Sequence, residues 1–376
     1  MKFSCLQENL EQGLGIVSKA ISASTPLPIL SNVLIETKDG RLKLTTSNTE
    51  TSISCYVGAS IDEEGAITVP ANLFKEFVSN LNSQQVEGEL EDSKLNLSSG
   101  KNKSKLHGIA ASSYPELPSV ADESEVIELD PQVFASAVSL VAFSAAADDS
   151  RPILSGILIK YEGGNLTLVS ADGFRLSEKT IKVGADLEPF EIVVPAKTLI
   201  EVARIFSKST EPIKFVISEN NNMALFESDD IYIYTRILEG QFPDYKKLIP
   251  DSHKIEAEFS AQDLLEAVKL NNVFAKRRQD IHSPITVAFD PKGFVKVNSI
   301  SQETGQNDSE IVGTINMDGD EEIEMVFNSR FLLDVLTNVK SDRLVFSSKG
   351  NLTPGVIRST EDEDYIHLIM PIRNQD

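Results

Sequence analysis

Cysteine is nearly missing from this 376-residue chain: Cys5 and Cys55 are the only two, too few for a disulfide framework. Both fall in apolar, strand-like surroundings and are expected to be buried thiols in a reducing compartment. Long hydrophobic runs are missing as well. No stretch approaches the roughly eighteen apolar residues of a spanning helix, and Met1 to Leu10 holds no apolar run of signal-peptide length. The expectation is a soluble, cytoplasmic protein with no membrane partner. A basic excess is absent too: the formal net charge is −22, which argues against a generic nucleic-acid coating protein. Phosphate binding stays open, because basic residues gathered on one surface matter more than the sum.

Signatures of catalysis are equally scarce. The four histidines, His107, His253, His282 and His367, show no metal-ligand spacing. The acidic run after Met317 has Ile323 where a calcium loop needs glycine and Ser329 where it needs glutamate. A phosphate-cradling loop fails at Leu95, six residues before Lys101, where the first glycine belongs. Asp172 and Arg175 lack a nearby nucleophile or second acid. No enzymatic activity, metal or cofactor is expected.

What the chain does have is repetition. Val69 to Val78, Val194 to Ala203 and Val326 to Val335 each read as a strand end running into an amphipathic helix. Pro70 and Pro195 are 125 residues apart, Pro195 and Phe327 132, which is the size of a small domain. A second landmark, Leu27 to Ile35 and Arg151 to Ile159, recurs after 124 residues; Ser283 to Phe289 keeps its proline before an alternating apolar strand. A third opens each block: Phe3-Ser4, Leu129-Asp130-Pro131 and Phe259-Ser260-Ala261, read as a strand, a helix cap and a helix start.

The first copy reads strand (1–5), helix (7–20), strand (30–38), a turn at Asp39-Gly40, strands (41–47, 51–59, 65–69), helix (71–81) and further strands to about Ala111. Gly163-Gly164 and Lys292-Gly293 fill the hairpin slot in the other copies. Two helices and many antiparallel strands, without βαβ alternation, make each copy α+β. Proline and acidic residues crowd at 114–125 and 242–250, so domains are expected at 1–121, 122–251 and 252–376.

Sheets that continue from copy to copy leave an open edge at each end, and open edges need covering. Lys101, Lys103 and Lys105 lie on the last strands of the first copy, while the matching region of the third carries Glu303, Asp308 and Glu310. A head-to-tail contact made twice closes a two-fold ring of six domains. Lys19, Lys75, Lys197, Arg204, Lys208, Lys269, Lys276, Arg277, Arg278 and Arg330 lie on or beside helices. Facing a common cavity, they would make sequence-independent phosphate contacts.

Taken together, Leu27 to Asn32, Ser170 to Leu176, Gly240 to Tyr245, Phe327 to Val335 and Met370 to Arg373 resemble the family of the bacterial DNA polymerase III beta subunit, the sliding clamps, across essentially the whole chain. The resemblance implies three DNA-clamp domains per chain and a head-to-tail homodimer that encircles duplex DNA. Such a ring tethers the DNA polymerase III alpha subunit, is opened by a clamp loader, and receives other polymerases and repair proteins through short linear motifs. Carried over by position, the partner-peptide pocket comprises Leu154, Ala171, Gly173, Phe174, Arg175, Leu176, Pro243, Lys247, Leu248, Asn328, Phe331, Leu352, Pro354, Leu368, Met370, Pro371, Ile372 and Arg373. Leu176, Leu368 and Met370 would anchor a peptide, and Arg175 and Arg373 would orient it. DNA-facing residues would be Lys75, Arg151, Lys197, Arg204, Lys276, Arg277 and Arg330. The dimer seam would use Lys103, Lys105 and Leu106 against Val273, Phe274, Glu303, Asp308 and Glu310. Phe174 stands where the family commonly has histidine. An adaptor that binds peptides without encircling DNA is the alternative.

Overall fold

The computed structural model describes residues 1–21, 27–82, 84–116, 125–148, 150–184, 187–218, 222–275, 283–301 and 305–372. Six α-helices lie among them: α1 (Gln7–Val17), α2 (Ala71–Ser79), α3 (Pro131–Ala142), α4 (Ala196–Phe206), α5 (Ala261–Ala275) and α6 (Ser329–Asn338). No helix is long and apolar enough to cross a membrane. The chain divides into two compact units, one of Met1–Gln132 with Glu201–Ile237, the other of Val133–Ile200 with Leu238–Asp376.

In the first unit, a five-stranded antiparallel sheet runs in the order Ala59–Glu63, Lys2–Leu6, Gln85–Glu91, Lys94–Ser99, Asn102–His107. A nine-stranded sheet joins strands of the first repeat to strands of the second where Thr51–Val57 meets Ile231–Arg236, with Thr51 opposite Thr235 and Cys55 opposite Ile231. Asp39 and Gly40, with φ of 53° and 69°, form the two-residue turn the sequence announced between Lys38 and Arg41, the left-handed pair that matches strand twist. Helix α1 buries Leu10, Leu14 and Val17. It lies close on the sheet because Gly13 has no Cβ, which would stand 2.6 Å from Cγ2 of Val57. Cys5 and Cys55 are buried, as expected, and burial pushes both thiols up to about 12.

Two local expectations are corrected. The first strand continues through Leu6, with Ser4 paired to Ser60 and Glu87 inside the sheet. Ser4 therefore does not cap α1, whose N-cap Leu6 offers no side-chain acceptor. The caps expected in the other copies do form: Asp130 Oδ1 accepts the amide of Gln132 at 2.9 Å and Ser260 Oγ that of Asp263 at 3.2 Å. The second correction concerns Leu30, read as the start of a strand. Pro28–Ser31 is a 3₁₀ turn, as is Pro152–Ser155, and the strands begin at Asn32 and Gly156. Proline's fixed φ suits a first helical turn. In the third copy Pro284 opens its strand directly, opposite Asn328.

The second unit is organised on a twelve-stranded antiparallel sheet. Its order is Phe190–Pro195, Gly156–Glu162, Asn165–Ala171, Arg175–Lys182, Tyr365–Ile369, Gly355–Ser359, Arg343–Ser348, Ile255–Ser260, Gly305–Met317, Phe294–Ser301, Pro284–Asp290, Ile323–Asn328. Strands of the second and third repeats meet where Arg175–Lys182 pairs with Tyr365–Ile369. Helices α5 and α6 pack on one another, and their apolar faces join a core that includes Val268, Leu332, Val335, Phe289 and Phe346.

Candidate functional site

The second unit carries a loop that local chemistry builds almost completely. Ala171 pairs with Leu176, leaving residues 172–175 to turn the hairpin. Asp172 Oδ1 accepts the backbone amides of Phe174 at 2.9 Å and Arg175 at 3.0 Å, an Asx turn. Gly173 sits at φ 91°, left-handed backbone that a side chain disfavours. The consequence is that Phe174 is turned outward, 59% exposed.

Under the loop lies an apolar floor. Leu158, Val169, Leu176, Val193, Tyr245, Val356 and Leu368 form one buried cluster, flanked by Ile153, Ala171 and Phe242 among others. The final strand runs alongside, with Leu368 opposite Leu176. Beyond it the amide of Met370 donates to the Phe174 carbonyl at 2.8 Å, and that of Ile372 to Val326 at 2.7 Å. Large apolar side chains stay uncovered: Phe174, Leu248, Leu352 and Met370 are all at least 41% exposed. An apolar floor with exposed apolar side chains and a few fixed polar groups suits a short peptide carrying leucine or phenylalanine.

Several expected pocket residues are thus brought together: Ala171, Leu176 and Leu368 in one cluster, Phe174 bonded to Met370, and Phe174 stacked on Phe331 at 6.4 Å between ring centroids. Leu154 is buried in its 3₁₀ turn. Others spend their polar groups within the chain. Asn328 Oδ1 caps α6 by accepting the amide of Arg330 at 3.0 Å, and the Pro354 carbonyl accepts from Ser348 Oγ at 3.2 Å. Lys247, in the 3₁₀ turn Tyr245–Leu248, pairs with Asp244 at 2.7 Å. That bond raises its pKa. Pro243 is exposed and Pro371 and Ile372 are half-buried; Arg373 lies outside the described residues.

Arg175 differs most from a free peptide-orienting charge. Its Nε donates to Asp172 Oδ2 at 2.9 Å and its Nη1 to Asp334 Oδ2 at 2.5 Å, with the side chain only 10% exposed. The guanidinium lies over the Phe331 ring at 4.3 Å and near Phe143 at 5.7 Å. Asp172 and Arg175 are therefore a structural pair that shapes the loop. Behind them His367 is fully buried, its Nδ1 2.8 Å from Ser177 Oγ, which lies 2.8 Å from Ser144 Oγ. Burial, with Arg175 adding to it, pushes the His367 imidazole down to about 3. Sequence reasoning missed Asp334, Phe143 and this hydroxyl–imidazole chain. The one local signal was that Phe331 and Asp334 are three apart on a helix and so share a face.

Two open strand edges form the other candidate surface, one in each unit. In the first, Asn102–His107 pairs only with Lys94–Ser99 among the described residues. Lys103 and Lys105 point to one face and are exposed, whereas Leu106 points to the other and is buried. In the second, residues 305–312 of Gly305–Met317 pair with Phe294–Ser301, and residues 313–317 pair with Ile255–Ser260. The outer edge of 305–312 is thus left open among the described residues, and it bears exposed Asp308 and Glu310. Val273 is 65% exposed and Phe274 half-buried. Leu270 and Val312, 50% and 76% exposed, line a groove of about 360 Å³ with Glu310. Those two and Ile300 were not singled out from the sequence. Glu303 lies outside the described residues.

Of the basic candidates, Lys75, Arg151, Lys197 and Arg330 make no ion pair among the described residues, and all but the half-buried Lys75 are exposed. Arg204 pairs with Glu201 one turn away, at 2.9 Å. Lys276 and Arg277 lie outside the described residues. No group of three potential metal ligands occurs among the described residues.

Repeated helix pairs on antiparallel sheets that run on from one repeat to the next define a three-domain clamp fold. Family models for the DNA polymerase III beta subunit match in order: the N-terminal domain over residues 1–118, the central domain over 128–244 and the C-terminal domain over 246–373. The Beta sliding clamp of Bacillus subtilis (strain 168) is 28% identical over 99% of this chain and 100% of its own length. That of Streptococcus pneumoniae (strain ATCC BAA-255 / R6) is 29% identical over 99% of each. The crystal structure of the DNA polymerase sliding clamp from Bacillus subtilis superposes with a TM-score of 0.94 at 27% identity, covering 100% of this chain and 99% of that one. The chain belongs to the DNA polymerase III beta-subunit family, the beta sliding clamps. It is an accessory processivity factor of DNA replication and not a catalytic enzyme.

Proposed function

We propose that two copies of this chain close head to tail into a six-domain ring around duplex DNA. The ring holds the replicative polymerase on its template by topology. The domains run 1–121, 122–251 and 252–376. The observation that carries the ring is the pair of open strand edges with opposite charge, Lys103 and Lys105 on one and Asp308 and Glu310 on the other. Joining them adds main-chain hydrogen bonds and buries Val273 and Val312. A strand edge of this kind otherwise invites uncontrolled pairing.

Lys75, Arg151, Lys197, Arg204, Lys276, Arg277 and Arg330 face the DNA. Their long side chains meet phosphates without reading bases, which permits sliding. The apolar cleft beside Phe174 receives short linear motifs from the DNA polymerase III alpha subunit, the clamp loader, and other polymerases and repair proteins in the cytoplasm. The clamp loader supplies the nucleotide chemistry that opens the ring.

Retention on circular DNA tests the topological claim. Protein loaded onto a nicked circular plasmid is expected to co-elute with it in gel filtration and to be released when the plasmid is cut once. Equal retention on the linear product would reject the ring and favour a peptide-binding adaptor.

A further inference from the structure

We propose that Asp334 is the positioning residue of the partner cleft, acting on Phe174 through Arg175. The inference rests on the cleft described above and goes beyond it to what holds its aromatic side chain in place. Phe174 projects from a turn, and an exposed ring on a turn loses order unless something beneath fixes it. Its carbonyl is held by the Met370 amide, and its ring stacks on Phe331 with the planes 29° apart.

Phe331 belongs to α6, so the stack lasts only while the loop and α6 keep one register. The Arg175 guanidinium supplies that register, lying over the Phe331 ring at 4.3 Å. Its two carboxylate partners are not equivalent. Asp172 belongs to the same turn and moves with it. Asp334 lies on α6, three residues after Phe331, and its 2.5 Å bond to Nη1 ties the loop to the helix. Arg175 is only 10% exposed although Asp334 is 44% exposed, so water reaches this charge-assisted bond from the carboxylate side alone. Without Asp334, the guanidinium keeps Asp172 but no longer has a fixed angle to α6, and Phe174 is free to leave Phe331.

The test uses the full-length protein and a fluorescein-labelled pentapeptide ending in Leu-Phe, with affinity read by fluorescence anisotropy. Asp334→Ala is expected to weaken binding about fivefold, the net worth of one ordinary hydrogen bond, because Asp172 still holds the guanidinium, and Asp334→Glu to recover most of the loss. In a Phe174→Ala background, Asp334→Ala is expected to cost nothing further, because residues acting through one another are not additive. Asp334→Asn repeats the measurement if the alanine variant melts below assay temperature. Unchanged affinity in Asp334→Ala, or losses that add to those of Phe174→Ala, would overturn the inference while leaving the cleft standing. Full affinity in both Phe174→Ala and Met370→Ala would overturn the cleft and the inference with it.

Discussion

His367 is buried between the ring of Phe143, at 5.5 Å, and the hydroxyl of Ser177, and it stays neutral because a charged imidazole there has lost its water. Unfolding restores the ordinary value near 6.5 from about 3. The unfolded chain therefore binds a proton first as pH falls. The stability present above pH 6.5 is lost progressively between 6.5 and 3. From pH 7.5 to 5.0 this one group should cost roughly 2 kcal/mol. Urea midpoints of the wild type and His367→Gln at those two pH values check it: the variant should show the smaller drop, and parallel slopes would reject the assignment. Gly355, on the neighbouring strand, gives a second residue-scale expectation. A Cβ there would stand 2.4 Å from the Phe346 ring, which is pinned by stacking on Phe289 at 4.6 Å and by the edge of Phe327 at 6.1 Å. Gly355→Ala should lose about 1–3 kcal/mol by overpacking, measurable by urea unfolding. Neither effect was visible in sequence: Ser177 lies 190 residues from His367, and the Phe346 ring that meets Gly355 is held by Phe289 and Phe327 from other strands. The same holds for Arg175 and Asp334, 159 residues apart.

Asn102–His107 and the first half of Gly305–Met317 carry the element-scale argument, since among the described residues each has one side paired and one side open. Reversing the charge on one edge should repel its partner. Lys103→Glu with Lys105→Glu is expected to weaken dimerisation at least tenfold, roughly the sum of several solvent-edge pairs turned repulsive. Mixing that variant with Asp308→Lys, Glu310→Lys should recover a dimer. Sedimentation velocity on each variant and on the mixture decides it, and an unshifted dimer in the first variant would reject the seam. Elements of this kind were legible wherever a local rule sets them. The hairpin at Asp39-Gly40 follows from left-handed turn residues, and α2, α4 and α6 from the recurring strand-then-helix pattern. Ser4 misled because a serine ahead of a helix caps it only if the strand has ended, and here pairing to Ser60 and Glu87 carries the strand through Leu6. Leu270, Ile300 and Val312 were passed over because helical and alternating spacing assigns apolar residues to a core. The fold nevertheless leaves all three exposed.

At the scale of the whole molecule, 57 acidic residues against 35 basic ones oppose tight binding to a polyanion, and this constrains how the chain stays on DNA. A protein held by charge releases counterions and loses affinity steeply as salt rises. One held by closure has no such dependence, provided the seam itself stays shut. Lys75, Arg151, Lys197 and Arg330 make no ion pair among the described residues, so replacing all four with glutamine breaks no such pair and, under the proposed ring, removes phosphate contacts. Under the topological reading, the quadruple variant, once loaded on nicked circular plasmid by the clamp loader, should remain bound within about twofold of the wild-type lifetime. Its loading rate should fall severalfold, because diffusional encounter depends on attractive charge. Gel filtration of preloaded circles measures the first quantity, and a loading time course the second. A variant that loads normally but dissociates quickly would show that charge, rather than closure, holds this protein on DNA.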